Sequence, residues 1–231
     1  MPREPLSLPA GLCLLAWDPA RPGAADTARV HHLVRAGALV ELARRGLLTD
    51  DDGIATPVDL DSETGDPVLD GLLELVRESL PHGWRAWVAL HARVTFDAAR
   101  EQLVAEGCLR AEKKRVLGVF PSVEYTLARA DVAQALRRRS RDVLEGAVPA
   151  GEVSERDTAM AALAAAAAEP GVVAAAGSPG GGGAGARGER TERTGYLAAA
   201  PGAHGIPYGI LDEVCGAVRD EAAHTEAPAG G

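Results

Sequence analysis

Apolar residues recur at helical spacing through most of the first 148 positions of this chain, and that period limits the fold more than any motif does. His31, Leu33, Val34, Ala38, Leu39, Leu42 and Ala43 mark one helix, capped near Asp26 or Thr27 and stopped at Gly46. Asp66 as N-cap with Pro67 at the first helical position predicts a second, which turns Val68, Leu69, Leu72, Leu73 and Val76 inward and ends at Pro81, His82 and Gly83. A short helix is expected over 84–91. Thr95 then caps one that buries Phe96, Ala99, Leu103 and Val104, and Asp131 caps a last strong one with Arg137, Arg138, Arg139 and Arg141 largely on its polar face.

The period becomes strand-like in two places. Positions 54–60 alternate after the acidic run Asp50-Asp51-Asp52-Gly53, and the runs 116–120 and 123–127 flank a tight turn at Pro121-Ser122. The second pattern predicts a β-hairpin near 116–127. The apolar stretch 6–17, interrupted by Pro9 and Gly11, reads as an early buried segment.

After about Val148 the sequence turns to Ala, Gly and Pro. The well-specified core is expected over 5–148. The Ala/Gly-rich part, 149–231, is expected to carry helices near 154–169 and 210–224 around a flexible linker at 177–195, and to complete the same domain. Hydrophobic residues make up 46% of the chain but aromatics only 3%, so Ala, Val and Leu must fill the interior. The expected fold class is mainly α, one helical domain with a hairpin.

No Walker lysine follows the Gly-rich run at 180–185. His31 and His32 are adjacent, so they point about 100° apart and do not form a metal pair. The acidic run lacks the alternating ligands of a calcium loop and reads as a solvated turn. Cys13, Cys108 and Cys215, three in number and widely spaced, support neither a disulfide framework nor a zinc site. Glu41 lies among apolar positions, where pairing with an arginine is expected rather than acid–base work. The sequence therefore predicts no enzyme, no cofactor and no metal.

Charge is segregated. The formal net charge is -9, which argues against a nucleic-acid coat. Between positions 47 and 80, ten acids face Arg77 alone, whereas between 81 and 146 twelve Lys and Arg outnumber eight acids. Arg35, Arg85, Arg93, Arg100, Arg110, Lys113, Lys114 and Arg115 are the candidates for a basic surface, because the guanidinium fork suits phosphate oxygens. No uncharged run is long enough to span a bilayer, so a cytoplasmic, at most peripheral, protein is expected.

The run Arg35-Ala36-Gly37-Ala38-Leu39-Val40-Glu41-Leu42-Ala43-Arg44-Arg45-Gly46-Leu47-Leu48 resembles the first-helix segment of the Golgi phosphoprotein family. Thr64-Gly65-Asp66-Pro67-Val68-Leu69-Asp70 and Leu103-Val104-Ala105-Glu106-Gly107-Cys108-Leu109 resemble two further blocks, in the family's order, so that the likeness covers roughly 6–146. The resemblance implies a mostly helical domain with a protruding β-hairpin. Eukaryotic members bind phosphatidylinositol 4-phosphate on Golgi membranes and recruit glycosyltransferases, and the hairpin helps them self-associate and enter lipid.

By local alignment Arg35 and Arg93 match two headgroup-binding arginines of the family. A third falls at Phe96, and the pocket tryptophan falls near Asp26. Trp84 or Trp87 is the expected substitute aromatic, with Arg85, Arg100, Lys113, Lys114 and Arg115 as supporting groups. Val116, Leu117, Val119, Phe120, Val123 and Tyr125 are the hairpin residues for self-association. The Ala-, Arg- and Gly-heavy composition suggests a bacterial relative that visits the inner face of the membrane.

The reading is an anionic lipid headgroup adaptor with possible client proteins. Two alternatives stand beside it. One is a winged-helix DNA-binding module, disfavoured because Asp97, Glu101 and Glu106 share its would-be recognition helix. The other is a protein-binding adaptor without lipid affinity.

Overall fold

A computed structural model describes residues 6–17, 27–116, 120–167 and 209–226. Their elements run α1 (Leu8–Leu15), α2 (Ala28–Arg44), β1 (Leu48–Asp51), β2 (Ile54–Pro57), α3 (Pro67–Glu78), α4 (Trp84–Ala89), α5 (Ala92–Ala105), β3 (Leu109–Val116), β4 (Phe120–Leu127), α6 (Ala130–Glu145), α7 (Glu155–Ala166) and α8 (Ile210–Glu226), with a 3₁₀ turn at Ala150–Glu152. The fold is mainly α with two separate antiparallel strand pairs, as the periodicity predicts.

α2 is the axis. It touches α1, α3, α4, α5, α7 and α8, and carries buried residues on every face. Thr27 caps it by accepting from the Val30 N–H at 3.3 Å. One apolar cluster joins α1, α2, α3, α4, α7 and α8 around Leu39, Leu42, Trp84, Leu163 and Val214. A second joins α1, α2, α5, β3 and α6 around Leu14, Val34, Phe96, Leu103 and Leu109. α7 and α8 thus pack into the same core as α1 and α2.

The stretch interrupted by Pro9 and Gly11 is a helix after all. Pro9 sits in the first turn, where its missing N–H costs no hydrogen bond. Gly37 lets α1 approach α2 closely, since a Cβ there would lie 2.5 Å from Leu12 Cδ1 and 3.4 Å from the Pro9 backbone. Gly11 makes room on another side, where a Cβ would lie 2.6 Å from Met160 Cε of α7.

Asp52 and Gly53 form the two-residue turn between β1 and β2, with φ of 49° and 84°. Both values are positive, as a type I′ hairpin turn requires. The larger hairpin differs from expectation. β3 begins at Leu109, Arg115 pairs with Pro121, and Lys114 pairs with Ser122, so Pro121-Ser122 lies inside β4 rather than at a turn. The run Glu112 to Arg115 is strand despite its charge, because both faces of a projecting hairpin meet water. Leu109 and Leu127 anchor its base against the second cluster, while residues 111–114 are exposed. Leu117 and Val119 lie outside the described residues.

α3 starts as predicted, with the Asp66 carboxylate accepting from Val68 and Leu69 and Pro67 at the first position. α5 does not. Its N-cap is His91, in the left-handed region at φ 53°, and Thr95 is buried within the first turn. α6 likewise starts from Arg129, with Asp131 in its first turn. Arg137, expected on the polar face of α6, donates to the Trp17 carbonyl.

Candidate functional site

The start of α5 gathers the unusual features. A non-glycine residue at positive φ is strained by its Cβ, and His91 is one of two such residues among those described. No side chain caps the helix, and of its first-turn N–H groups that of Val94 donates to the His91 carbonyl at 3.0 Å, at the positive end of the helix dipole. His91, Arg93 and Val94 are exposed around that end, while Ala92, Thr95 and Phe96 face the core.

Arg35 reaches the same point from beneath. It lies on the apolar stripe of α2, one turn after His31 and one before Leu39, and is fully buried. Its Nη2 donates to the His91 carbonyl at 2.6 Å, whereas Nε and Nη1 are buried without a hydrogen-bond partner. No carboxylate pairs with it among the described residues. Burial pushes its pKa down to about 10, still far above neutrality, so the group is a cation.

The two predicted headgroup arginines therefore meet at one helix tip, but not as two jaws of an open notch. Arg35 is the floor, and Arg93 is the rim. Arg93 is 63% exposed and its Nε lies 3.5 Å from Asp97 Oδ2, while Arg100 Nη2 lies 2.7 Å from Asp97 Oδ1. One carboxylate is thus shared by two guanidinium groups. Arg35 and the helix dipole add positive character to this end of α5.

The other candidates scatter. Trp84 and Trp87 are fully buried: the Trp84 indole N–H donates to Asp50 Oδ1 at 2.6 Å, and Trp87 packs edge-on against His82. Both are core residues, not an aromatic wall. Arg85 is turned toward α8, where it pairs with Asp220 and lies against Gly216. Arg100 lies 4.1 Å from the centre of the Tyr125 ring and 5.2 Å from that of Phe96, bracing α5 against β4. Lys113 is exposed on the hairpin, and Lys114 pairs with Glu124. Val123 is 45% exposed toward the hairpin's outer end, on the strand face it shares with Tyr125. Asp26 and the side chains of Arg115, Val116 and Phe120 lie outside the described residues.

Sequence reasoning missed His91 and Val94. Neither has a signal in the chain, because a left-handed cap is ordinarily read from Gly or Asn. The burial of Arg35 did have one, namely its place on the stripe His31, Arg35, Leu39, Leu42. The polar groups of α5 are largely engaged: Gln102 Nε2 donates to Asp66 Oδ2 at 3.1 Å, and Arg100 is held as above. Among the described residues no helix is long and apolar enough to cross a membrane.

A helical domain built on one central helix, with a projecting hairpin and a cationic helix tip, is the class these features define. The family model for Golgi phosphoprotein 3 (GPP34) matches residues 8–201, and the chain belongs to that family. The match runs well past the 6–146 covered by the sequence motifs. No curated protein matches the chain at a significant level.

Proposed function

We propose that this protein is a peripheral, non-enzymatic adaptor that docks on anionic lipid headgroups through the N-terminal tip of α5. The observation that carries the reading is the buried Arg35 cation, held against the His91 carbonyl beneath a helix N-terminus and left without a carboxylate. A cation and the positive end of a helix repel each other, and an isolated buried charge is costly. An anion seated on the tip relieves both.

In this arrangement Arg93 and the N-terminal end of α5 contact phosphate oxygens directly. Arg35 supplies charge from below and fixes His91. Val94, 63% exposed, enters the interfacial region beside the headgroup. Lys113 and Arg110 on the hairpin add attraction at a distance, each basic group near an anionic surface being worth about 1 kcal/mol. The chemistry selects a clustered phosphate headgroup, such as a phosphoinositide or cardiolipin, on the inner face of a membrane.

Sedimentation with vesicles tests it. The wild type is expected to pellet with phosphatidylinositol 4-phosphate or cardiolipin vesicles and not with phosphatidylcholine alone, and to release as salt rises. Arg93→Ala and Arg35→Met are each expected to weaken binding about tenfold or more, with duplex DNA as the control anion. Equal binding by both variants and the wild type sinks the proposal.

A further inference from the structure

Four of the histidines among the described residues are engaged. His31 packs on the Phe96 ring with 4.6 Å between centroids, His32 Nδ1 lies 3.5 Å from Glu221 Oε2, His82 stands edge-on to Trp87, and His224 Nδ1 lies 2.6 Å from the Asp220 carbonyl. The imidazole of His91 is exposed and has no hydrogen-bond, ion-pair or ring partner among the described residues. Its backbone, by contrast, is fastened. The carbonyl accepts from Arg35 Nη2 at 2.6 Å and from the Val94 N–H at 3.0 Å, with φ at 53°. The fold thus holds the residue firmly and leaves its ring to solvent at the N-cap of α5.

Three elements meet at this cap, and each brings charge of a definite kind. α2 brings Arg35 from beneath and, one turn before it, His31, which is packed on Phe96. α5 brings Arg93 and Asp97, whose carboxylate is shared between Arg93 Nε at 3.5 Å and Arg100 Nη2 at 2.7 Å. α4, which leads into the cap, brings Arg85, turned away to Asp220. A proton on the His91 ring therefore adds a cation where Arg35, Arg93 and the positive end of a helix already stand. That is unfavourable until an anion arrives.

We propose that His91 is a proton-responsive contact of the lipid site, its protonated imidazole meeting headgroup phosphates beside Arg93, so that docking on an anionic bilayer tightens as pH falls. This rests on the lipid reading and adds regulation to it. The coupling is reciprocal: a phosphate seated on the tip favours the proton, and the proton favours the phosphate by the same factor. Imidazole is the side chain whose charge changes near neutrality, so the response falls where the arginine contacts are constant. One added basic group near an anionic surface corresponds to about fivefold in affinity. Such a surface also attracts protons, and the imidazole meets a lower pH there than in bulk solution.

Vesicle sedimentation at about pH 8 and about pH 5.5 tests it on cardiolipin membranes, whose phosphodiesters keep their charge over that span, whereas a phosphomonoester loses part of its charge near about pH 6. The variant is His91→Asn, because asparagine accepts the left-handed backbone and leaves both bonds to the carbonyl in place. On acidification the wild-type affinity is expected to rise about fivefold more than that of His91→Asn, the two being equal at the alkaline end. His224→Asn, which removes the other exposed histidine among the described residues, is expected to keep the wild-type response. Calorimetry of the wild type at about pH 6.5 in two buffers of unlike ionisation enthalpy is expected to show net proton uptake on binding, with no substitution needed. Equal rises in the wild type and His91→Asn, or binding without proton uptake, overturn the role of His91 and leave the lipid site standing. A wild type that ignores cardiolipin at both pH values overturns the lipid reading and this role with it.

Discussion

Arg35 and Glu41 ride on the same helix and are both withdrawn from water, at 0% and 1% exposure, yet the fold treats them in opposite ways. Glu41 Oε1 accepts from Arg44 Nη2 at 2.7 Å and from Arg45 Nε at 2.9 Å. Burial alone pushes its carboxyl up, but the two arginines outweigh that and hold it below the usual carboxylate range. Arg35 has only a backbone carbonyl. A buried charge with its counter-charges beside it is a structural element, whereas one kept without them is destabilising.

The largest effect is expected from Glu41→Gln, which leaves two arginines facing an amide and should remove about 3 kcal/mol of stability by urea titration while leaving vesicle binding unchanged. Acid sharpens the same point. Because the folded carboxyl titrates lower than the unfolded one, its contribution is complete above the unfolded pKa and is lost as pH falls through the folded value. Wild-type stability should therefore drop more steeply on acidification than that of Glu41→Gln.

Next in size is Arg35→Met, expected to raise stability by about 1–2 kcal/mol and abolish tight vesicle binding in the same protein. The His91 carbonyl keeps a donor in the Val94 N–H, at 3.0 Å, so no acceptor is orphaned. If that variant loses stability instead, Arg35 is an ordinary structural group and the contrast with Glu41 disappears. Asp50→Ala, which strips the buried Trp84 indole of its acceptor, should cost about 1 kcal/mol and leave vesicle binding unchanged.

The smallest effect is alkaline. The Arg35 guanidinium titrates at about 10 when folded, below the ordinary arginine value it has when unfolded, so between the two the unfolded chain holds more protons and stability rises with pH. The advantage of Arg35→Met over the wild type should be whole at neutrality and shrink as pH rises through about 10. An advantage that stays constant over that range would mean that Arg35 is not a strained cation.

What could be read from the chain was whatever local chemistry decides. Thr27 and Asp66 announce their helices because a short polar side chain can satisfy the first N–H groups, and Pro67 fits only there. Glu41 among apolar neighbours, followed by two arginines, announces its own pairing. What escaped was set by distant contacts. α1 packs closely on α2 because Gly37 on that other element makes room for it, and nothing in 6–17 says so. The hairpin register escaped because Glu112, Lys113 and Lys114 look like a solvated link until a partner strand lies beside them. Trp84 and Trp87 looked available for a pocket, but α2 and α8 pack over α4 and bury both rings in the core. The approach of Arg35 and Arg93 to one helix tip was legible in the sequence, and their unequal depth was not.

The three cysteines sit in three different parts of the packing: Cys13 on α1, Cys108 at the foot of β3 and Cys215 on α8, each buried as a free thiol. Burial pushes the thiols of Cys13 and Cys215 up to about 12, so almost no thiolate exists at neutral pH and alkylating reagents meet an unreactive surface. Each sulfur becomes labelled only when its own neighbourhood opens. Labelling rates at the three positions, followed by mass spectrometry without any substitution, would give separate opening free energies for the N-terminal helix, the hairpin base and the C-terminal helix.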